Sequence, residues 1–339
     1  YQLNSSDEWE QLGSNINGEA RGDESGIAVS LSDDGKTVAI GAHRNDSDGS
    51  NGSNVGHVRI YQLNDDNEWV QLGSDIDGEI ATGFSGRSVD LSSDGQTVAI
   101  GALGSNSEKG QARVFRLNGS NEWVQLGQNL DGQAANSWFG SDVSLSSNGD
   151  ILAVGANRDD SHASDSGQVK IFALVALDHS DQWQQLGQTI DGESSGEYAG
   201  ESVSLSADGR VVAIGAVRHN NKTGKVRIYQ LDKDVQWQQI ADIAGQAGGD
   251  FAGHQVSLSD DGLTVAISSP QTGQSDKAGY VRVYALPSVR HPNVVASLTD
   301  NVSGWDYLKY PRDITTAYIN ETPYAFVATP GDMSVQIID

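Results

Sequence analysis

The stretch GRSVDLSSDGQTVAIGA, residues 86–102, decides the fold. Val89 and Leu91 alternate with Ser88, Asp90 and Ser92, the period-two pattern of a strand with one apolar face. Asp94-Gly95 then interrupts the pattern. An Asp-Gly pair between two apolar runs predicts a tight hairpin turn with positive φ at both central positions. The second strand runs back through Thr97 to Ala102 and ends on Gly101-Ala102, small residues that let a neighbouring sheet or backbone approach closely. Val89, Leu91, Val98 and Ile100 are expected in the core, and Asp94-Gly95 at an exposed turn.

Working outward, the same unit recurs as GIAVSLSDDGKTVAIGA from Gly26, GSDVSLSSNGDILAVGA from Gly140, GESVSLSADGRVVAIGA from Gly200 and GHQVSLSDDGLTVAISS from Gly253. Every copy has Asp-Gly or Asn-Gly at the turn, so the chain is a repeat protein. Each hairpin is followed by two more strand patterns. HVRIYQL from His57 returns as QARVFRL, QVKIFAL, KVRIYQL and YVRVYAL, and EWVQLG from Glu68 returns at Glu8, Glu122, Gln182 and Gln236 in related forms. Trp9, Trp69, Trp123, Trp183 and Trp237 therefore hold one repeated position, where large rings pack between sheets.

Four strands per unit predict an all-β β-propeller of four-stranded antiparallel blades, five regular and a divergent sixth, with six blades favoured over seven. Residues 1–286 supply the regular units. Residues 287–339 form the divergent last blade, which closes the ring or starts a second array. The chain opens in mid-repeat at YQL, so it is expected to be part of a longer chain.

Composition bounds the partners. Lys plus Arg number 21 and Asp plus Glu 46, for a net charge of −25. Such a field repels phosphate, which argues against nucleic acid and anionic membranes. No apolar run reaches the roughly 20 residues of a membrane span, and the absence of cysteine leaves the compartment open.

Residues 83–117, GFSGRSVDLSSDGQTVAIGALGSNSEKGQARVFRL, resemble FG-GAP repeats, the units of integrin α-chain propellers. An aromatic and a Gly precede SV, a turn, an apolar strand ending in GA, and a Gly-opened VRVF strand. The likeness covers 24–286 in five copies. TPYAFVATPGDMSVQIID, at the end of the chain, resembles LVIVD-type repeats of other propellers. The FG-GAP resemblance implies an extracellular or cell-surface protein engaged in recognition. It does not carry over the family's calcium sites, because the hairpin loops SDDG, SSDG, SSNG and SADG retain too few oxygens for six to eight ligands.

Asn45-Asp46-Ser47-Asp48-Gly49 places oxygens at alternate positions around a Gly, which makes Asp46 and Asp48 weak calcium candidates. No other cofactor is expected. The seven histidines do not recur together and none has zinc-site spacing, so catalysis has no evident motif. Sequons at Asn4, Asn45, Asn51, Asn118, Asn221, Asn301 and Asn320 fit a secreted glycoprotein. The expected function is a non-enzymatic recognition or adhesion module that binds a protein or glycan. The alternatives are a structural spacer and a polysaccharide-active hydrolase or lyase. The ligand face is expected where the loops after each GA strand and each Trp strand share one rim, with Arg44, Asn45, Asp77, Glu79, Arg158, Asp159, Asp191 and Glu193. Its acidity favours a cationic, calcium-bridged or sugar partner over an anionic one.

Overall fold

The structure, a computed structural model, describes all residues except 7, 47–52, 178–179, 271–278, 287–292, 300–312, 320–321, 330–333 and 339; beyond residue 292 it describes strand backbone. Five sheets follow one another along the chain, each an antiparallel meander of four successive strands. Blade 1 comprises Ala28–Leu31, Thr37–Ala42, His57–Leu63 and Trp69–Gln71, and blade 2 comprises Ser85–Leu91, Thr97–Ala102, Gln111–Leu117 and Trp123–Gln125. Blade 3 runs through Phe139–Leu145, Ile151–Ala156, Gln168–Leu177 and Ser180–Gln185, and blade 4 through Ala199–Leu205, Val211–Ala216, Lys225–Leu231 and Trp237–Ala244. Blade 5 holds Val256–Leu258, Thr264–Ser269, Tyr280–Ala285 and Asn293–Thr299. The first strand of each blade lies against the first strand of the next, which is the radial arrangement of a β-propeller. Helix among the described residues is confined to Ser105–Glu108 and His219–Lys222, and no helix there is long and apolar enough to cross a membrane.

A three-stranded sheet, Asp313–Ile319, Thr322–Thr329 and Ser334–Ile338, follows blade 5, and its first strand lies against Val256–Leu258. Its three strands lie within residues 287–339. At the other end, Gln2–Leu3 and Trp9–Glu10 pair with each other and with no further strand among the described residues.

The hairpin turn differs from the expected geometry. Gly35, Gly95, Gly149, Gly209 and Gly262 have φ of +66 to +71°, while the Asp or Asn before each is absent from the positive-φ residues. Each turn is closed by the Gly N–H donating to the Ser three residues earlier, as from Gly95 to Ser92 O at 2.8 Å. The repeated Ser supplies the reason. Ser92 Oγ donates to Asp94 Oδ1 at 2.6 Å and accepts the Thr97 N–H at 2.9 Å, so the side chains hold the connection between Leu91 and Thr97 with one left-handed Gly. Asp94 is exposed as expected, but Gly95 is buried, because it seats against Thr37 of blade 1.

Four repeated contacts bind neighbouring blades. Around the central channel, Ser30 accepts the Leu91 N–H, Asp90 the Leu145 N–H, Ser144 the Leu205 N–H and Ser204 the Leu258 N–H, at 2.7 to 3.0 Å. At the hairpin end, a backbone N–H in one turn donates to a carbonyl in the next, from Asp33 to Ser93, Ser93 to Ser147, Ser147 to Ala207 and Ala207 to Asp260. On the outer side, the indoles of Trp69, Trp123, Trp183 and Trp237 donate to the carbonyls of Leu12, Leu72, Leu126 and Leu186 at 2.8 to 3.0 Å. These tryptophans are structural, as their recurrence predicts, and the first bond makes the N-terminal hairpin the outer edge of a unit preceding blade 1. Finally, the Gly of each GA pair meets the next blade's backbone directly, so Gly101 abuts Gly140 and Gly155 abuts Gly200. Between these contacts the seams are apolar; that of blades 1 and 2 buries Val58, Ile60, Val89, Leu91, Val98 and Ile100. Each such side chain stabilises the seam by about 2 kcal/mol.

Candidate functional site

The register puts the ends of the GA strands and the segments after the Trp strands on one face. His57 pairs with both Ala42 and Asp77, and Gln168 with both Ala156 and Asp191. The outer rim of this face is occupied by structural ion pairs. Arg113, buried, donates to the Asp77 carbonyl at 2.7 Å and lies 3.5 Å from Glu79. Arg227 reaches the Asp191 carbonyl, Glu193 at 3.6 Å and the buried carboxylate of Glu197. Arg59 repeats the clamp on Asn17 and Glu19. The Asp77 and Asp191 carbonyls and the Glu79 and Glu193 carboxylates are therefore spent holding an arginine of the next blade. Glu197 titrates below its usual range: burial opposes this, but the Arg227 charge and the hydrogen bond from His219 outweigh it.

Inside that rim lies a cavity of about 540 Å³, at the mouth of the central channel. Four repeated positions build it. The residues following GA contribute His43-Arg44, Leu103, Asn157-Arg158 and Val217-Arg218, and the third residue after the aromatic contributes Arg87, Ser141, Glu201 and His254. The aromatic position itself contributes Phe84, Trp138, Tyr198 and Phe251. These four rings stand on backbone at φ of 54 to 60°, a left-handed conformation that bulky side chains rarely adopt. Blade 1 has Glu24 there, also at φ 54°. A backbone bond fixes the geometry in each unit, with the second residue after GA donating to the loop before the aromatic: Arg44 to Asp23, Gly104 to Gly83, Arg158 to Ser137 and Arg218 to Glu197. Strain repeated at the same point of every blade turns the rings toward the axis, and stored strain of this kind concentrates at functional sites.

The charge of the cavity is opposite to that of the molecule. Four arginines and a single carboxylate, Glu201, line it in a chain of net charge −25. Arg44 is neutralised by Glu24 at 3.0 Å, whereas Arg87, Arg158 and Arg218 form no ion pair among the described residues. Aromatic faces hold two of them instead: the Arg158 guanidinium lies 3.5 Å from the Trp138 ring centre and 5.8 Å from that of Tyr198, and Arg218 lies 4.2 Å from Tyr198. Asn157 Nδ2 donates to Glu201 at 2.6 Å. His43 is buried beside Phe84, and its Nδ1 has no hydrogen-bond partner among the described residues. Its pKa falls to about 4, first through burial and then through the positive charge of Arg87, with Glu24 opposing, so the imidazole is neutral at neutral pH.

Two half-buried carboxyls, Asp90 and Asp142, lie on the inner strands below. Burial raises Asp90 to about 6 against hydrogen bonds from Leu145 and Ser30, and raises Asp142 to about 8 against a hydrogen bond from Val203 and the charge of Arg87.

Of the residues expected at the ligand face, Arg44 and Arg158 line the cavity. Asn45 and Asp159 follow them in the same loops and are buried; Asn45 Nδ2 donates to Asp23 at 3.1 Å, which leaves no room for a glycan on that sequon. Asp46 accepts the Asn54 N–H at 2.8 Å, and Asp48 lies outside the described residues. Two carboxylate-histidine groups are compact enough for a metal, Glu19-His57-Asp75 and Glu193-Glu197-His219, but Arg59 and Arg227 already supply cations to them. Sequence reasoning missed Arg87, Arg218, His43, His254 and Glu201. One signal was available: Arg stands two residues after GA in three units, at 44, 158 and 218.

No family model and no curated protein sequence matches the chain. Its fold matches solved propellers. A putative 6-phosphogluconolactonase from Bacteroides uniformis superposes with a TM-score of 0.63 at 14% identity, covering 92% of this chain and 80% of that one. A periplasmic gluconolactonase from Pseudomonas aeruginosa gives 0.57 at 14% identity, over 92% and 84%. The hydrazine synthase of Kuenenia stuttgartiensis gives 0.57 at 13%, over 92% and 82%. At such identities the likeness establishes the β-propeller fold. It also corrects the expectation of a non-enzymatic adhesion module: that reading borrowed its function from integrin-type propellers, and the solved propellers this chain resembles carry the names of enzymes.

Proposed function

We propose that the chain is a hydrolase that opens a cyclic ester of a small sugar, a lactone, in the cavity at the mouth of its channel. The observation that carries this reading is His43, an imidazole neutral at neutral pH on the wall of a cavity that also holds the Arg87 guanidinium. The names of two structural neighbours point the same way, as does the hydrolase alternative drawn from the sequence. In this reading the His43 imidazole takes a proton from a water that attacks the acyl carbon. Arg87 stabilises the negative charge that develops on the carbonyl oxygen. The imidazolium then returns the proton to the ring oxygen as the acyl–oxygen bond breaks, and the product is the open hydroxy acid. Phe84 and Phe251 offer apolar surface against which a sugar ring can pack. The blades carrying this site are FG-GAP-like in pattern, and placing them outside the cytoplasm is part of the proposal.

The test is hydrolysis of aldonolactones followed in a pH-stat, comparing the parent chain with His43→Gln. Loss of a general base costs about 10²–10⁴ in rate, with the circular dichroism spectrum unchanged. Absence of turnover on neutral and charged lactones alike, or full activity in His43→Gln, overturns the reading.

A further inference from the structure

The cavity's charge says more about its ligand than its shape does. Arg158 and Arg218 are held by Trp138 and Tyr198 in an alternating stack of rings and guanidinium groups that crosses from blade 3 to blade 4. Stacking fixes a guanidinium's plane without consuming its N–H donors, and no carboxylate within ion-pair distance takes them up among the described residues. Arg158 is anchored further by its backbone bond to Ser137, and its Nε is buried with no hydrogen-bond partner. Arg158 is half-buried and Arg218 exposed, and cations held in place at a concave site without a counter-charge attract an anionic group. Meanwhile the molecule as a whole carries −25, and the rim of this face is built from carboxylates such as Glu19, Glu79 and Glu193.

We propose that Arg158 and Arg218 form an anion subsite for one negatively charged group, a carboxylate or phosphate, on a mono- or disaccharide, and that the acidic exterior excludes polyanionic chains from it. The inference deepens the reading of the same cavity given above but does not depend on turnover. The planar fork of each guanidinium suits the two oxygens of a carboxylate or phosphate. Phe84 and Phe251, in the same cavity, offer apolar surface to the attached sugar. A volume near 540 Å³ admits one or two sugar rings, and not a polymer. At physiological salt the exterior charge is screened beyond about 8 Å, so a small anion at the mouth feels the nearby arginines, whereas a polyanion must lie across the acidic rim.

Isothermal titration with ligands that contain no lactone tests this. The probes are glucose, glucuronate, glucose 6-phosphate and polygalacturonate, and the proteins are the parent chain, Arg158→Gln/Arg218→Gln and Arg158→Lys/Arg218→Lys. The parent should bind glucuronate or glucose 6-phosphate at least tenfold more tightly than glucose, with affinity falling as salt rises; whichever of the two binds better identifies the anion. The Gln pair should abolish that preference, and the Lys pair should restore part of it, since charge returns without the stacked fork. Polygalacturonate should bind more weakly than glucuronate per sugar unit. Equal affinity for glucose and both anions in the parent, an unchanged preference in a Gln pair that retains its circular dichroism spectrum, or tight binding of the polymer would each overturn the inference. Because none of these ligands can be hydrolysed at a lactone, the outcome is independent of whether the chain proves to be a hydrolase.

Discussion

Gly155→Ala is a one-carbon test of how the blades are held. A Cβ at Gly155 would stand 2.2 Å from the Gly200 carbonyl oxygen, 3.1 Å from its carbon and 3.3 Å from its Cα. Ordinary contact begins near 3.4 Å, so the seam between blades 3 and 4 must open by roughly 1 Å. The obstacle is backbone and cannot rotate away. Gly200 itself has φ +87° and its own Cβ position lies against Gln168 O and Gly155, so neither strand can retreat freely. Overpacking of this kind costs about 1–3 kcal/mol, and a seam opened by roughly 1 Å also forfeits up to half of the dispersion energy of its facing atoms. The cost should therefore fall at the top of that range, about 3 kcal/mol, lowering the melting temperature by about 6 °C at about 2 °C per kcal/mol. Gly119→Ala is the control: nothing lies within 4 Å of its Cβ position, and its stability should stay within about 0.5 kcal/mol of the parent. Urea titration and thermal melts followed by circular dichroism read both variants. A Gly155→Ala protein as stable as Gly119→Ala would refute direct blade contact at the GA glycines.

Asp142, held protonated by burial up to about pH 8 against an ordinary value of 3.8, binds its proton more tightly folded than unfolded. Its contribution to stability must therefore fall as pH rises through the window from about 4 to about 8. The urea midpoint of the parent should decline between pH 6.5 and 8, above the range in which His43 titrates, and Asp142→Asn should flatten that decline. Arg227→Leu leaves the buried Glu197 carboxylate without its guanidinium and should cost about 3–5 kcal/mol in urea unfolding, whereas Lys233→Ala, whose ion pair with Asp234 is exposed, should change stability by less than about 0.5 kcal/mol. Trp123→Phe keeps a ring in the seam but removes the donor to Leu72 O, and should cost about 1 kcal/mol with no change in fold by circular dichroism.

Repetition made the architecture legible. Val89, Leu91, Val98 and Ile100 alternate because one face of each strand must leave water, and the recurrence of that hairpin, of HVRIYQL and of Trp set four strands per unit without reference to contacts between units. The Asp-Gly pairs located the turns but not their form, because the Ser two residues before each Asp decides the hydrogen bonding, and a side-chain bond is weaker as a pattern than a dipeptide. Function was read wrongly for a related reason. Net charge is an average over the chain, while a site is made by the few residues that converge on an axis. Arg87, Arg158 and Arg218 stand 60 or more residues apart, on different blades, and the place two residues after GA that Arg158 and Arg218 share does not by itself show that they face a cavity. Radial packing alone brought them together, turned Phe84, Trp138, Tyr198 and Phe251 onto left-handed backbone beside them, and spent Glu79 and Glu193 on the clamps of the rim. Local spacing thus determined the strands, turns and blades, whereas the sign of the cavity's charge came from residues far apart in sequence that share one end of a channel.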